Sequence, residues 1–169
     1  MSNDTVAETT RKFHWYLPTH GDTATVADNQ GSAVERGASH LEPTLDNLTA
    51  LGRTAEGFGF EAVLTPTGSH CEDSWVATAA LAQHTRRLKY LVAFRPGVLS
   101  PTLAAQQVST YQRFTGNRLA LNIVTGGDDL EMRRYGDGVD KAARNRRTGE
   151  ILAVLRGAGS SPEFSFHGE

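Results

Sequence analysis

Short apolar runs of strand type alternate with helical segments four times along this chain, and no other feature of the sequence constrains the fold as strongly. The runs are residues 12–17, closed by Pro18, then 62–65, 89–94 and 118–124. Between and after them lie segments with helical signals. Leu41, Leu45, Leu48, Ala55 and Phe58 recur at helical spacing before Gly59, which predicts an amphipathic helix facing a core. Residues 74–83 follow Asp73, a residue type suited to an N-cap. Ser100-Pro101 is a cap followed by Pro at the first helical position, opening a helix to about Phe114 that Gly116-Asn117 closes. A fourth helix is expected over 141–156, with Ile151, Leu152 and Leu155 on one side. Short buried strands joined through helices make a parallel sheet with right-handed crossovers.

Two polar stretches, residues 18–40 and 125–139, read as loops, and a loop of the first one's length is usually a lid or binding segment, or is disordered. The expected organisation is a polar leader over 1–11, an α/β domain over 12–156 and a Gly-, Ser- and Pro-rich tail over 157–169. The leader lacks the apolar core of a signal peptide and no run reaches the ~18 apolar residues of a membrane span, so the expectation is a cytoplasmic protein. A formal charge of −2 gives no reason to expect nucleic acid or an anionic membrane as partner. A lone cysteine has no partner for an internal disulfide, and no His or Cys set stands at zinc spacing. No metal site is expected, and the expected ligand is a small molecule.

In a parallel α/β barrel the working residues occupy the carboxyl ends of strands and the loops that follow. Here those positions offer hydroxyls, amides, one thiol, one arginine and several glycines, from Leu17, Thr65, Phe94 and Asn122 onward. That inventory suits a polar planar ligand better than hydrolysis, since neither a nucleophile elbow nor a Gly-x-x-x-x-Gly-Lys phosphate loop is present. Asn122 can meet a ring edge or be satisfied by neighbouring backbone. Arg95 can fork onto an oxyanion or pair with a loop carboxylate. Cys71 is either a ligand-contacting group or a small buried hydrophobe, and the adjacent Glu72 and Asp73 would raise its pKa. His20 and His70 read as surface or hydrogen-bonded histidines. The run Arg144, Arg146 and Arg147 reads as a solvated helix face.

Several segments carry a family resemblance when taken in order. They are Trp15-Tyr-Leu-Pro-Thr-His-Gly-Asp22, Leu64-Thr-Pro-Thr-Gly68, Cys71-Glu-Asp-Ser-Trp75, Leu88-Lys-Tyr-Leu-Val-Ala-Phe-Arg-Pro96, Ser100-Pro-Thr102 and Asn122-Ile-Val-Thr-Gly126. The chain resembles the bacterial luciferase-like flavin monooxygenases, and within them the alkanesulfonate monooxygenases. The resemblance implies a TIM barrel using reduced FMN, delivered by a separate NAD(P)H-dependent flavin reductase, with O₂ as co-substrate. An alkanesulfonate would be oxygenated at the carbon bearing sulfur, releasing aldehyde and sulfite. It also implies that Thr67, Asn122 and Thr125 line the flavin site, with Cys71 near the flavin as a positioning group. The substrate role for Arg95 is the oxyanion reading above. Where the family carries an Arg-Tyr pair, this chain has Arg144-Asn145.

A complete (β/α)₈ barrel typically needs about 250 residues, against 169 here. The expectation is therefore the N-terminal half of a TIM (β/α)₈ barrel, four parallel strand-helix units, active only with a complementing C-terminal half. Such a half exposes two sheet edges and an apolar inner face. By resemblance the full-length form is a homo-oligomer. The alternatives are a non-catalytic half-barrel that binds flavin or a partner, an inert gene remnant, or a related monooxygenase for another sulfur compound.

Overall fold

The computed structural model describes residues 11–21, 41–161 and 163–168. The leader through residue 10 and most of the first loop, residues 22–40, lie outside the described residues. Strands β1 (His14–Tyr16), β2 (Ala62–Thr65), β3 (Lys89–Phe94) and β4 (Leu119–Ile123) form one parallel sheet in the order β1-β2-β3-β4. Helices α1 (Leu45–Gly57), α2 (Ser74–Leu81) and α3 (Pro101–Thr115) connect successive strands. After β4 come α4 (Asp129–Arg134) and α5 (Lys141–Ala158). Sequential parallel strands with a helical crossover after each one form half of a (β/α)₈ barrel.

The register separates the two faces of the sheet. Trp15 pairs with Val63, Val63 with Tyr90, and Tyr90 with Leu119; one step on, Val92 pairs with Leu121. Because side chains alternate along a strand, this row lies on one face, where Val63, Tyr90, Val92 and Leu119 pack with Leu48, Ala55, Leu81 and Tyr111 of the helices into the main core, while Trp15 stays 51% exposed. The opposite row is Tyr16, Leu64, Leu91, Ala93, Ala120 and Asn122. Apart from Ala93 these residues keep partial exposure, as expected of the face that points into a barrel.

Local chemistry sets the helix ends. The Thr44 hydroxyl accepts from Asn47 N–H, so α1 begins after Leu41, which lies ahead of the cap. At the other end Phe58 is the C-cap and 81% exposed, so the helical spacing read from the sequence overruns the helix by one apolar residue at each end. Asp73 accepts from Trp75 N–H and Val76 N–H, and Ser100 accepts from Leu103 N–H, matching the expected caps. Gly116 ends α3 with φ +65°, a conformation that costs glycine little.

The second loop departs from expectation. Residues 125–139 contain α4, capped by Asp128, whose carboxylate accepts from Leu130 N–H and Glu131 N–H. Met132, fully buried, anchors it. The basic run on α5 is also not a uniformly solvated face. Arg144 is 2% exposed and donates to Val139 O and to Asp129, while Arg147 pairs with buried Asp137. In the tail, Phe164 packs against α5 at Gly157.

The β2–β3 connection is stitched to α1 by one carboxylate. Glu56 accepts from the N–H groups of Arg86, Arg87 and Leu88. Burial pushes its carboxyl up, but the three backbone donors and Arg87 outweigh it and hold the group below its ordinary value. A carboxyl held low contributes stability that is complete above its unfolded value and fades as the pH falls through the folded one. Glu56→Gln should therefore cost about 2 kcal/mol at pH 7. The gap between variant and parent should begin to narrow as the pH falls below the ordinary glutamate value of about 4.3, as read by urea denaturation across pH.

Candidate active site at the carboxyl end of the sheet

The carboxyl ends of β2 and β3 open into a pocket of about 370 Å³ lined by Thr67, Cys71, Trp75, Ala93, Arg95 and Tyr135 among others. Three of the residues singled out from sequence, Thr67, Cys71 and Arg95, thus meet at one cavity. Asn122 and Thr125 do not line it. Asn122 is the register partner of Ala93, a wall residue, and shares its sheet face, while Thr125 follows the end of β4.

Arg95 is the best-held polar group of the pocket. Its side chain is only 9% exposed, and its Nη2 donates to Glu131 Oε2 at 2.7 Å and to Thr67 O at 3.2 Å. The guanidinium also lies 5.3 Å from the centroid of the Tyr135 ring, within cation–π range. Nη1 meets only the Met132 sulfur, at 3.8 Å, and Nε is buried with no hydrogen-bond partner among the described residues. Of the two readings open for Arg95, the pairing with a loop carboxylate is what this conformation displays. An anionic ligand at this side chain would have to replace the Glu131 contact at Nη2.

Glu131 closes the arrangement from α4. Its Oε1 accepts from Ser69 N–H at 3.0 Å, so one carboxylate ties the β2 loop to the end of β3. Gly68 sits under this contact: a Cβ there would lie 2.7 Å from the His70 ring and 3.2 Å from Glu131 Oε1. Glu131, Met132 and Tyr135 were missed because residues 125–139 read as a polar loop. The signal was present, as Asp128 stands before Asp-Leu-Glu-Met-Arg-Arg, an N-cap with acids in the first turn and bases in the last.

Cys71 follows the β2 loop, where its N–H donates to Gly68 O at 3.0 Å. Burial pushes its thiol up to about 11, with Glu131 and Glu72 adding to the shift and Thr19 and Arg95 opposing it. The thiol is protonated at neutral pH, which suits packing or weak donation rather than nucleophilic attack. The neighbouring carboxylates act in the expected direction, but desolvation leads. Beside it, Tyr16 Oη lies 3.4 Å from His20 Nδ1, and the His20 and His70 rings are 5.9 Å apart. Burial, reinforced by Cys71, pushes the Tyr16 phenol up to about 12. Burial and the neighbouring His70 both hold His20 below its ordinary value.

Comparison with known proteins agrees with this geometry. The family model described as luciferase-like monooxygenase matches residues 11–169. EDTA monooxygenase (EmoA) from Chelativorans sp. BNC1 superposes with TM-score 0.71 at 18% identity, over 86% of this chain and 36% of that one. Long-chain alkane monooxygenase (LadA) gives 0.69 at 20% identity, over 86% of this chain and 38% of its own. Monooxygenase RslO1 from Streptomyces bottropensis gives 0.69 at 17% identity, over 94% and 46%. The chain therefore spans less than half the length of each of these structures, in all of which it overlays the same fold. Among the described residues no helix is long and apolar enough to cross a membrane. With four parallel strand-helix units, a polar pocket at their carboxyl ends and a family match over nearly its whole length, the chain belongs to the luciferase-like monooxygenase family.

Proposed function

We propose that the rim formed by β2, β3 and β4 holds reduced FMN for the oxygenation of a small organosulfonate, releasing sulfite and an aldehyde. The observation that carries this reading is the convergence of Thr67, Cys71 and buried Arg95 on one cavity, inside a chain of the luciferase-like family. The residues fit a flavin in kind. Asn122 supplies an amide for a ring edge, the small side chains of Ala93 and Ala120 leave room on the inner sheet face, and Arg95 keeps donors without protein partners. Thr67 and Thr125 would hold the group from the loops after β2 and β4. Reduced flavin, when bound, supplies the electrons that activate O₂.

The protein's own contribution is positioning and exclusion. Trp75, Phe94 and Leu99 give the pocket apolar walls that limit water, and Cys71 presents a neutral thiol rather than a competing nucleophile. Arg95 supports a sulfonate over a neutral alkane, because a buried guanidinium discriminates strongly for an anion. A flavin reductase would deliver the reduced cofactor, and a C-terminal complement would supply the rest of the barrel.

A second reading is a flavin-binding module without turnover. It is favoured by the partial exposure of Tyr16, Leu64, Leu91 and Asn122, which leaves much of the inner sheet face uncovered. Titration with FMN followed by a reductase-coupled assay for O₂-dependent sulfite release separates the readings. Saturable FMN binding with sulfite release supports the monooxygenase, FMN binding without release supports the module, and absence of flavin binding contradicts both.

A further inference from the structure

We propose that Glu131 is an internal latch occupying an oxyanion site, and that a sulfonate or phosphate group binds at Arg95 and Ser69 N–H by displacing it. The inference rests on the assignment of Arg95 to ligand binding but adds the competitor that controls it. The two oxygens of the Glu131 carboxylate are held by two different donors, Ser69 N–H at 3.0 Å and Arg95 Nη2 at 2.7 Å. A pair of donors that spans two oxygens of a carboxylate also spans two oxygens of a sulfonate or phosphate. Arg95 is 9% exposed, and its Nε lacks a partner while Nη1 touches only sulfur. With Gly68 and Ser69 the guanidinium lines a ligand-sized cavity, and its Nη2 is the donor that moving Glu131 would free there.

The latch sits on a short element, and its own side chain keeps 16% exposure. α4 has six residues, and within it only Met132 is buried. Arg134, from the same helix, reaches Ser69 Oγ at 3.4 Å and lines the pocket, adding a cation that an incoming anion would meet. Glu72 and Asp73 also line the cavity and, with Glu131 in place, disfavour a free anion. Moving Glu131 out removes the nearest negative charge and frees both donors together. With an internal carboxylate in the site, the apparent anion affinity is the intrinsic affinity multiplied by the fraction of time the latch is open.

The test titrates methanesulfonate and, separately, inorganic phosphate into the full chain at constant ionic strength by calorimetry. Glu131→Gln keeps size and an acceptor for Ser69 N–H but removes the charge, and should bind at least one of the two anions about tenfold more tightly than the parent. Whichever anion gains more identifies whether the site serves a sulfonate or a phosphate. Arg95→Met should abolish saturable binding in either background. Equal or weaker binding by Glu131→Gln, or binding that survives Arg95→Met, overturns the proposal.

A second readout needs no variant. Tryptic cleavage at Arg133 of the unmodified chain should accelerate with the bound anion, because α4 loses the tie from Glu131 to Ser69 and Arg95, and unchanged or slower cleavage contradicts the latch. FMN titration of the same proteins keeps the two readings apart. Anion binding that tightens in Glu131→Gln while no protein binds flavin leaves the latch standing and sinks the flavin assignment; flavin binding without that tightening does the reverse.

Discussion

Arg118→Met is expected to lower the stability of the fold by about 3 kcal/mol, read as a shift of the urea midpoint with unchanged slope. Arg118 stands just before β4 and donates to Ala82 O at 2.6 Å, Thr85 Oγ1 at 2.9 Å, Thr115 O at 2.8 Å and Leu88 O at 3.3 Å. One side chain therefore ties the end of α2, the turn into β3 and the end of α3 to the start of β4. Its partners include Thr85, itself buried and paired to Tyr90 Oη at 2.9 Å. Methionine fills comparable volume but leaves several acceptors unpaired, and unmet buried groups cost more than the net value of the bonds they lose. Arg118→Lys should recover only part of the loss, since a single ammonium cannot reproduce the planar fork.

Gly126→Val is expected to cost about 3 kcal/mol and to dismantle the pocket rim. Gly126 has φ +86°, and a Cβ there would lie 2.5 Å from Met132 Sδ. Both objections act together: the backbone conformation is strained for any L side chain, and the space is already filled by the residue that anchors α4. Displacing Met132 displaces Glu131 with it, so Arg95 loses its carboxylate partner. Gly127→Ala is the control, because no atom lies within 4 Å of the added methyl, and it should change stability by less than about 0.5 kcal/mol. Circular dichroism melts of the two variants and the parent check the contrast. The Val-Thr-Gly segment is thereby explained by packing under α4 as well as by position at a strand end.

Much of the fold was legible because the signals were local. β2 and β3 fall where apolar β-branched and aromatic runs placed them, and Asp73, Ser100 and Gly116 act as the caps their chemistry suggests. Parallel pairing followed from alternation, while the half-barrel behind the sequential order β1-β2-β3-β4 was an expectation of the family resemblance. What escaped was α4, whose six residues are too few for an apolar period and whose anchor is a single Met132. The burial of Arg144 was equally hidden, since its partners Asp129 and Val139 come from the segment read as loop. The site was half legible: strand ends located Thr67, Cys71 and Arg95, whereas Glu131 approaches from α4, 36 residues further along the chain than Arg95. A contact of that kind depends on tertiary packing, which no short window of sequence encodes.

Flavin held at the carboxyl rim of β2, β3 and β4 should slow hydrogen–deuterium exchange at residues 65–71, 93–96 and 122–126 when FMN is added to the chain, with little change elsewhere. Exchange at those amides left untouched by FMN, or protection confined to the neighbouring cavity of about 550 Å³ bounded by Pro101, Ile151, Phe164 and Phe166, would place the flavin elsewhere or nowhere on this chain.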